Sequence, residues 1–159
     1  MYFSNPTKSL IKICLCVWIV IFYSEEALAL NTFTRDHISI QTSDGRVHDF
    51  EVELALTPEQ HALGLMFRVY LAPHQGMLFD FFSSRPVTMW MKNTMIPLDM
   101  IFIRQDGSIE SIIANAKPLS LTKRSSRGEV RAVLELAGGT TKRLNIQPED
   151  TVLHNIFKR

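Results

Sequence analysis

Val47-His48-Asp49-Phe50-Glu51-Val52-Glu53-Leu54-Ala55-Leu56 alternates polar and apolar side chains. Successive side chains of an extended strand point to opposite sides, so Phe50, Val52, Leu54 and Leu56 share one face. Just upstream, Ser43-Asp44-Gly45 is a turn, and residues 37–42 alternate in the same way. Two alternating runs around Asp-Gly predict a β-hairpin. Just downstream, Thr57-Pro58-Glu59-Gln60 has the form of a capping box with proline at the first helical position. It predicts one short helix running through Leu65.

Beyond that helix the punctuation is again that of strands. Residues 76–81 and 86–91 are short candidates, and residues 98–103 and 108–114 flank the Asp106-Gly107 turn of a second hairpin. Residues 130–136 form a strand that is apolar except for Arg131 and Glu135. Gly138-Gly139 breaks the chain, a brief helical turn follows, and residues 151–157 close the domain as a strand. Residues 117–129 are polar and basic and read as an exposed loop. The fold class expected is mainly β: a single-domain β-sandwich or partly closed barrel with one short α-helix after the second strand.

The N-terminus has a different character. Lys8 and Lys12 precede the apolar residues 13–23, which lead through Ser24-Glu25-Glu26 to Ala27-Leu28-Ala29. A positive opening, a short apolar core and small residues at −3 and −1 are the parts of a cleaved secretory signal. The core falls short of the roughly 20 residues a membrane-spanning helix needs, which counts against an uncleaved anchor. Residues 1–29 are therefore expected to leave on export to the periplasm or extracellular space, residues 30–36 to be a flexible lead-in, and residues 37–159 to be the domain. Both cysteines, Cys14 and Cys16, lie in the signal. The mature chain then has neither a disulfide nor a thiolate metal site, and its stability rests on an ordinary core. The signal carries two lysines and two glutamates, so the net charge stays near the +1 of the whole chain. That balance favours neither nucleic acid nor an anionic membrane as the main partner, and no stable membrane insertion is expected after cleavage.

The stretch from Gly64 to Phe102 is the densest in unusual residues. Gly64-Leu65-Met66-Phe67-Arg68, Gly76-Met77-Leu78-Phe79, Trp90-Met91-Lys92-Asn93-Thr94 and Ile96-Pro97-Leu98-Asp99 follow one another in this order. In these blocks the chain resembles the domain of unknown function 192 family, over essentially the whole mature region. The resemblance implies a compact, mainly β, often exported domain, and supplies no activity or catalytic residue. Gln147-Pro148-Glu149-Asp150 departs from it, standing where the family often has a Gly-Asp turn.

Chemistry must be read from the residues. Trp90, Lys92, Asn93 and Thr94 put an aromatic, a cation and two short hydrogen-bonding groups at a strand end. Pro97 holds Ile96 extended, and Asp99 follows. Such a set can stack on a sugar ring and bind its hydroxyls; alternatively, Asn93 and Thr94 close a turn and Trp90 belongs to the core. Arg68 sits among Leu65, Met66, Phe67 and Val69, where a cation usually pairs with a carboxylate. Glu135 is the preferred partner, Asp99 the second, and an anion-binding role for Arg68 the alternative.

Apart from Met1, the methionines all fall between residues 66 and 100. Thioethers suit Cu(I), with Met89, Met91 and Met95 as candidate ligands, although methionine is also a common core filler. The scattered histidines argue against zinc. A hydrolase would need carboxylates such as Asp80, Asp99 and Glu135 to converge. The expected function is an exported accessory or ligand-binding domain without cofactor, its partner a small molecule, glycan or envelope protein. Cu(I) binding and cryptic hydrolysis are the alternatives.

Overall fold

The computed structural model describes residues 32–157. The predicted signal segment lies outside the described residues. Contacts separate Met1–Thr32 from Phe33–Arg159, and the architecture is that of the second unit.

The hairpin read from the alternation is present as β1 (Thr34–Gln41) and β2 (Val47–Ala55), paired antiparallel. β1 starts inside the expected lead-in, because Thr34, Arg35 and Asp36 face Leu54, Glu53 and Val52 and continue the ladder. Helix α1 (Pro58–Leu63) carries the full capping box of Thr57 and Gln60. It stops at Gly64, which stands at φ 49°, where a Cβ would lie 3.1 Å from the Phe79 ring. The connection through α1 is long enough to let β3 (Gln75–Arg85) run parallel to β2. Residues 86–91 give only the two-residue β4 (Thr88–Met89), which pairs with β7 (Arg124–Ser125) inside the segment expected to be loop. Then come β5 (Leu98–Ile103), β6 (Ile109–Ala116), β8 (Val130–Ala137), helix α2 (Thr140–Leu144) and β9 (Thr151–Leu153). A 3₁₀ turn, Asn155–Phe157, replaces the end of the expected last strand.

Seven strands form one sheet in the order β6-β5-β8-β3-β2-β1-β9, and Ser108 bridges to Thr151. That bridge brings the β5–β6 turn to β9 at the far edge, so the sheet curls into a partly closed barrel rather than a two-sheet sandwich. Its interior is apolar, with Ile40, Val52, Leu78, Ile101 and Leu134 essentially without exposure. The outer face of β3, β5 and β8 is buried too. Met77, Phe79, Met100, Phe102 and Val133 pack there beneath Leu65, Leu71, Val87 and Met91. Burial on both sides explains why these strands read as near-continuous apolar runs while the outer strands alternate. Gly76 sits at the tight crossing of β3 and β8, where a Cβ would come within 2.7 Å of the Glu135 carbonyl oxygen.

Asp99 fastens this arrangement. Its buried carboxylate accepts the Asn115 N–H at 2.7 Å, the Gly139 N–H at 2.9 Å, and the Thr141 N–H and hydroxyl at 2.7 Å each. One side chain thus caps the start of α2, which lacks a capping side chain of its own, and ties it to β5 and β6. Asp150 does the same on a smaller scale, accepting the Ser43 and Gln147 N–H groups at 2.9 and 2.7 Å. Beside it Glu149 holds φ 72°, a left-handed turn geometry. Replacing Asp99 leaves several donors buried without a partner, each costing about 1–3 kcal/mol. Asp99→Ala is therefore expected to lose at least 3 kcal/mol in urea unfolding, and a loss below 1 kcal/mol would show that the clamp does not hold the fold.

Candidate functional site

α1, the chain following it and residues 85–90 cover the outer face of the sheet incompletely. They leave a cleft of about 350 Å³. Phe79 and Phe81 rise from β3 because alternation puts both on the outer face, and His61 comes down from α1. The His61 ring lies 4.8 Å from that of Phe81 and 6.1 Å from that of Phe79. Its Nε2 donates to the Ala55 carbonyl at 2.9 Å, since a carbonyl only accepts. Arg85 stands at the mouth, its guanidinium 4.8 Å from the centre of the Phe81 ring. Met66, Met89, Trp90 and Thr94 complete the walls, and Trp90 is half exposed at the rim.

Glu135 forms the floor. It belongs to the outer face of β8, directly between Met77 of β3 and Met100 of β5. The residue is 3% exposed, and no hydrogen bond or ion pair from the described residues reaches its carboxyl, whose oxygens are not fully sealed from the cleft. Burial alone pushes its pKa from the ordinary 4.5 up to about 8. At neutral pH the group is therefore a carboxylic acid, able both to donate and to accept a hydrogen bond. A buried polar group without a partner is rare in native proteins, and one at the base of an open cleft is a functional-site candidate.

The residues singled out in the sequence divide between this cleft and the rest of the surface. Trp90, Thr94 and Glu135 line it; Thr94 is buried and its hydroxyl donates to the Lys92 carbonyl at 3.3 Å. Lys92 is exposed outside the lining, with its ammonium 5.6 Å from the Trp90 ring centre. Asn93 takes φ 55°, its carbonyl accepts the Phe67 N–H at 2.9 Å, and its amide meets the Met66 sulfur at 3.8 Å. The chain leaves the strand after Met89, so Trp90, Lys92 and Thr94 do not share the face that regular alternation would give them. Asp99 belongs to the interior face with Ile101, opposite to Glu135, and is not brought together with Trp90, Lys92 and Asn93. Asp80 is bound by Arg131 at 2.6 and 3.0 Å, so the acids Asp80, Asp99 and Glu135 do not converge. Of the candidate thioether ligands, Met89 lines the cleft, Met91 is buried in the core and Met95 is exposed.

Arg68 pairs with neither Glu135 nor Asp99. Its guanidinium makes a two-pronged bridge to Glu53 of β2, at 3.0 and 2.5 Å. Glu53, Met77, Glu135 and Met100 occupy facing positions on β2, β3, β8 and β5, so Met77 separates Glu53 from Glu135. Pairing with the more accessible Glu53 spares the desolvation that meeting Glu135 would require. The Arg68 side chain is 36% exposed, which puts the pair near about 1 kcal/mol rather than the larger value of a buried bridge.

His61, Met66, Phe79, Phe81 and Arg85 were not singled out in the sequence. The available signal was the alternation of Phe79 and Phe81 next to the capped helix bearing His61.

A family model described as an uncharacterized ACR, domain of unknown function 192, matches residues 39–154. The chain belongs to this family. A search of curated proteins gave no match. Among solved structures, the domain of unknown function 192 fold seen here is similar to a suggested transcription regulator from Sinorhizobium meliloti 1021. Identity is 49%, coverage 77% of this chain and 95% of that one, and the TM-score 0.76. It is also similar to a protein of unknown function from Novosphingobium aromaticivorans DSM 12444, at 40% identity, 76% and 85% coverage, and a TM-score of 0.73.

The raised pKa of Glu135 fixes a sign for stability. Below about pH 4.5 both folded and unfolded states hold the proton; between 4.5 and 8 only the folded state does. Stability contributed by Glu135 therefore falls as pH rises through that window and levels off above it, by up to about 1.4 kcal/mol per pH unit. Glu135→Gln is expected to remove this fall. Urea unfolding of both proteins at pH 5 and pH 8 checks it, and parallel profiles would contradict an unpaired buried acid.

Proposed function

We propose that this member of the domain of unknown function 192 family is an exported ligand-binding domain, and that Glu135 is the polar anchor of its cleft. The observation that carries the reading is the unpartnered carboxyl at the floor of an aromatic-walled cavity. A neutral acid there offers a ligand one donor and one acceptor in a low-dielectric setting, where such bonds discriminate strongly. The rings of Phe79, Phe81 and Trp90 suit a planar or ring-shaped body, and Arg85 at the mouth suits an anionic substituent. Sugar rings of the cell envelope have this combination of an apolar face and hydroxyl edges. Ala27-Leu28-Ala29 and the short apolar core before it support export, with cleavage after Ala29. Lys92 and Asn93 then act from outside the cleft, Lys92 against the exposed Trp90 ring and Asn93 by holding the turn that presents it.

The test uses protein recovered after export, in which mass spectrometry is expected to place Leu30 first. Calorimetric titration with soluble envelope glycan fragments is expected to give saturable binding. Trp90→Ala and Glu135→Ala should weaken it at least tenfold, about 1.4 kcal/mol, while Lys142→Ala on α2 leaves it unchanged. A Trp90→Ala protein that binds like the wild type would refute the cleft as the binding site.

A further inference from the structure

Around the turn that carries Trp90, backbone bonds gather three separate segments. The Phe67 N–H donates to the Asn93 carbonyl at 2.9 Å, and the Leu119 N–H to the Thr94 carbonyl at 3.0 Å. The Met91 N–H donates to the Ser120 carbonyl at 3.0 Å. The side chains so assembled are large, apolar and turned to solvent: Phe67 is 65% exposed, Leu119 62%, Leu121 69%, Trp90 49% and Met95 46%. A contiguous patch of this kind is unusual on a soluble domain. Three of the residues building it, Phe67, Asn93 and Leu119, hold positive φ of 64°, 55° and 58°. Bulky side chains rarely take that conformation, and where they do the strain clusters at functional surfaces.

The charge around the patch identifies its occupant. Residues 117–127 contain Lys117, Lys123, Arg124 and Arg127 and no acid, and Lys92 lies beside Trp90. Among the described residues none of these five cations makes an ion pair, nor do Arg85, Lys142 and Arg143 elsewhere, whereas Arg35, Arg46, Arg68, Arg104 and Arg131 all do. The net charge of +1 conceals this segregation. Exposed leucines and aromatics on a segment that also carries Lys and Arg, with Lys92 beside Trp90, are the composition of a surface that rests in a lipid interface. The apolar groups enter the headgroup boundary and the cations meet anionic lipids. A second copy of the chain would bring these cations against one another. A nucleic acid would meet the cations but gain nothing from the protruding leucines.

We propose that the patch formed by Phe67, Trp90, Met95, Leu119 and Leu121 docks this domain reversibly on an anionic membrane surface. Docking sets the mouth of the Glu135 cleft close to the bilayer. The proposal stands apart from the ligand reading, because Leu119 and Leu121 do not line the cleft.

Both cores and the whole sheet lie within Phe33–Arg159, so a chain beginning at Leu30 keeps the domain. Trp18 and Trp90 are the tryptophans of the full sequence, which leaves Trp90 as the sole fluorophore of its kind in the shorter chain. Vesicles of phosphatidylcholine mixed with phosphatidylglycerol are expected to sediment the protein and shift Trp90 emission to the blue. Pure phosphatidylcholine vesicles should do neither, and 0.5 M salt should weaken binding because it screens the cations. Leu119→Ser with Leu121→Ser should reduce binding at least tenfold at an unchanged melting temperature, since both side chains are exposed. Failure to bind the mixed vesicles, equal binding to neutral ones, or retention by duplex DNA with the vesicles left free would each overturn the proposal.

Discussion

Strand β8 lies between β5 and β3, and all three bury both faces. Inside, the curled sheet closes over Ile40, Val52, Leu78 and Ile101. Outside, the second sheet among the described residues is only the two-stranded β4–β7 pair, so mostly irregular chain has to form the roof. Irregular chain is a poor roof, because every buried N–H and C=O in it needs a partner that regular structure would have supplied. The protein meets that need with a few well-placed bonds: the Thr57–Gln60 capping box, the Asn93 and Thr94 carbonyls accepting from Phe67 and Leu119, and the Pro97 carbonyl accepting from Gly138 at 2.9 Å. Asp99 secures the layer from below, with four donors drawn from β6 and the start of α2.

A roof built of loops leaves a gap, and the position under the gap is occupied by an acid. Any apolar residue at position 135 would fit between Met77 and Met100 without a desolvation penalty, and burial of a carboxyl without a partner is costly. The protein tolerates that cost by keeping the proton, which turns a destabilising charge into a neutral donor and acceptor. Stability is given up at the same point where the cleft gains its polar group, as stability–function trade-offs lead one to expect.

Strands were legible both where one face is wet and where neither is: the expected runs 98–103 and 130–136 match β5 and β8. Alternation around Asp44-Gly45 located β1 and β2, and Asp106-Gly107 located β5 and β6, each end to within about three residues. Strand alternation says nothing about Lys92 and Thr94, since β4 stops at Met89 and the Thr94 N–H turns back to the Met91 carbonyl at 3.2 Å. Glu135 and Asp99 were the expected partners of Arg68, and Glu53, on an alternating strand, was not among them. The parallel pairing of β2 with β3, set by the α1 crossover, is what brings Glu53 within reach. Glu135 stood out as an acid in an apolar run, but its solitude depends on which loops cover it. No local pattern encodes that. The role of Asp99 is equally nonlocal, since its donors lie 16 to 42 residues away.

All of this turns on the protonation state of one carboxyl. The most direct measurement is a ¹³C NMR titration of the Glu135 side-chain carboxyl, assigned by its disappearance in Glu135→Gln. The structure predicts a midpoint near 8, with the acid form dominant at neutral pH. A midpoint near the ordinary 4.5 would mean that Glu135 is solvated or paired, and the account of the cleft as built around a buried neutral acid would be wrong.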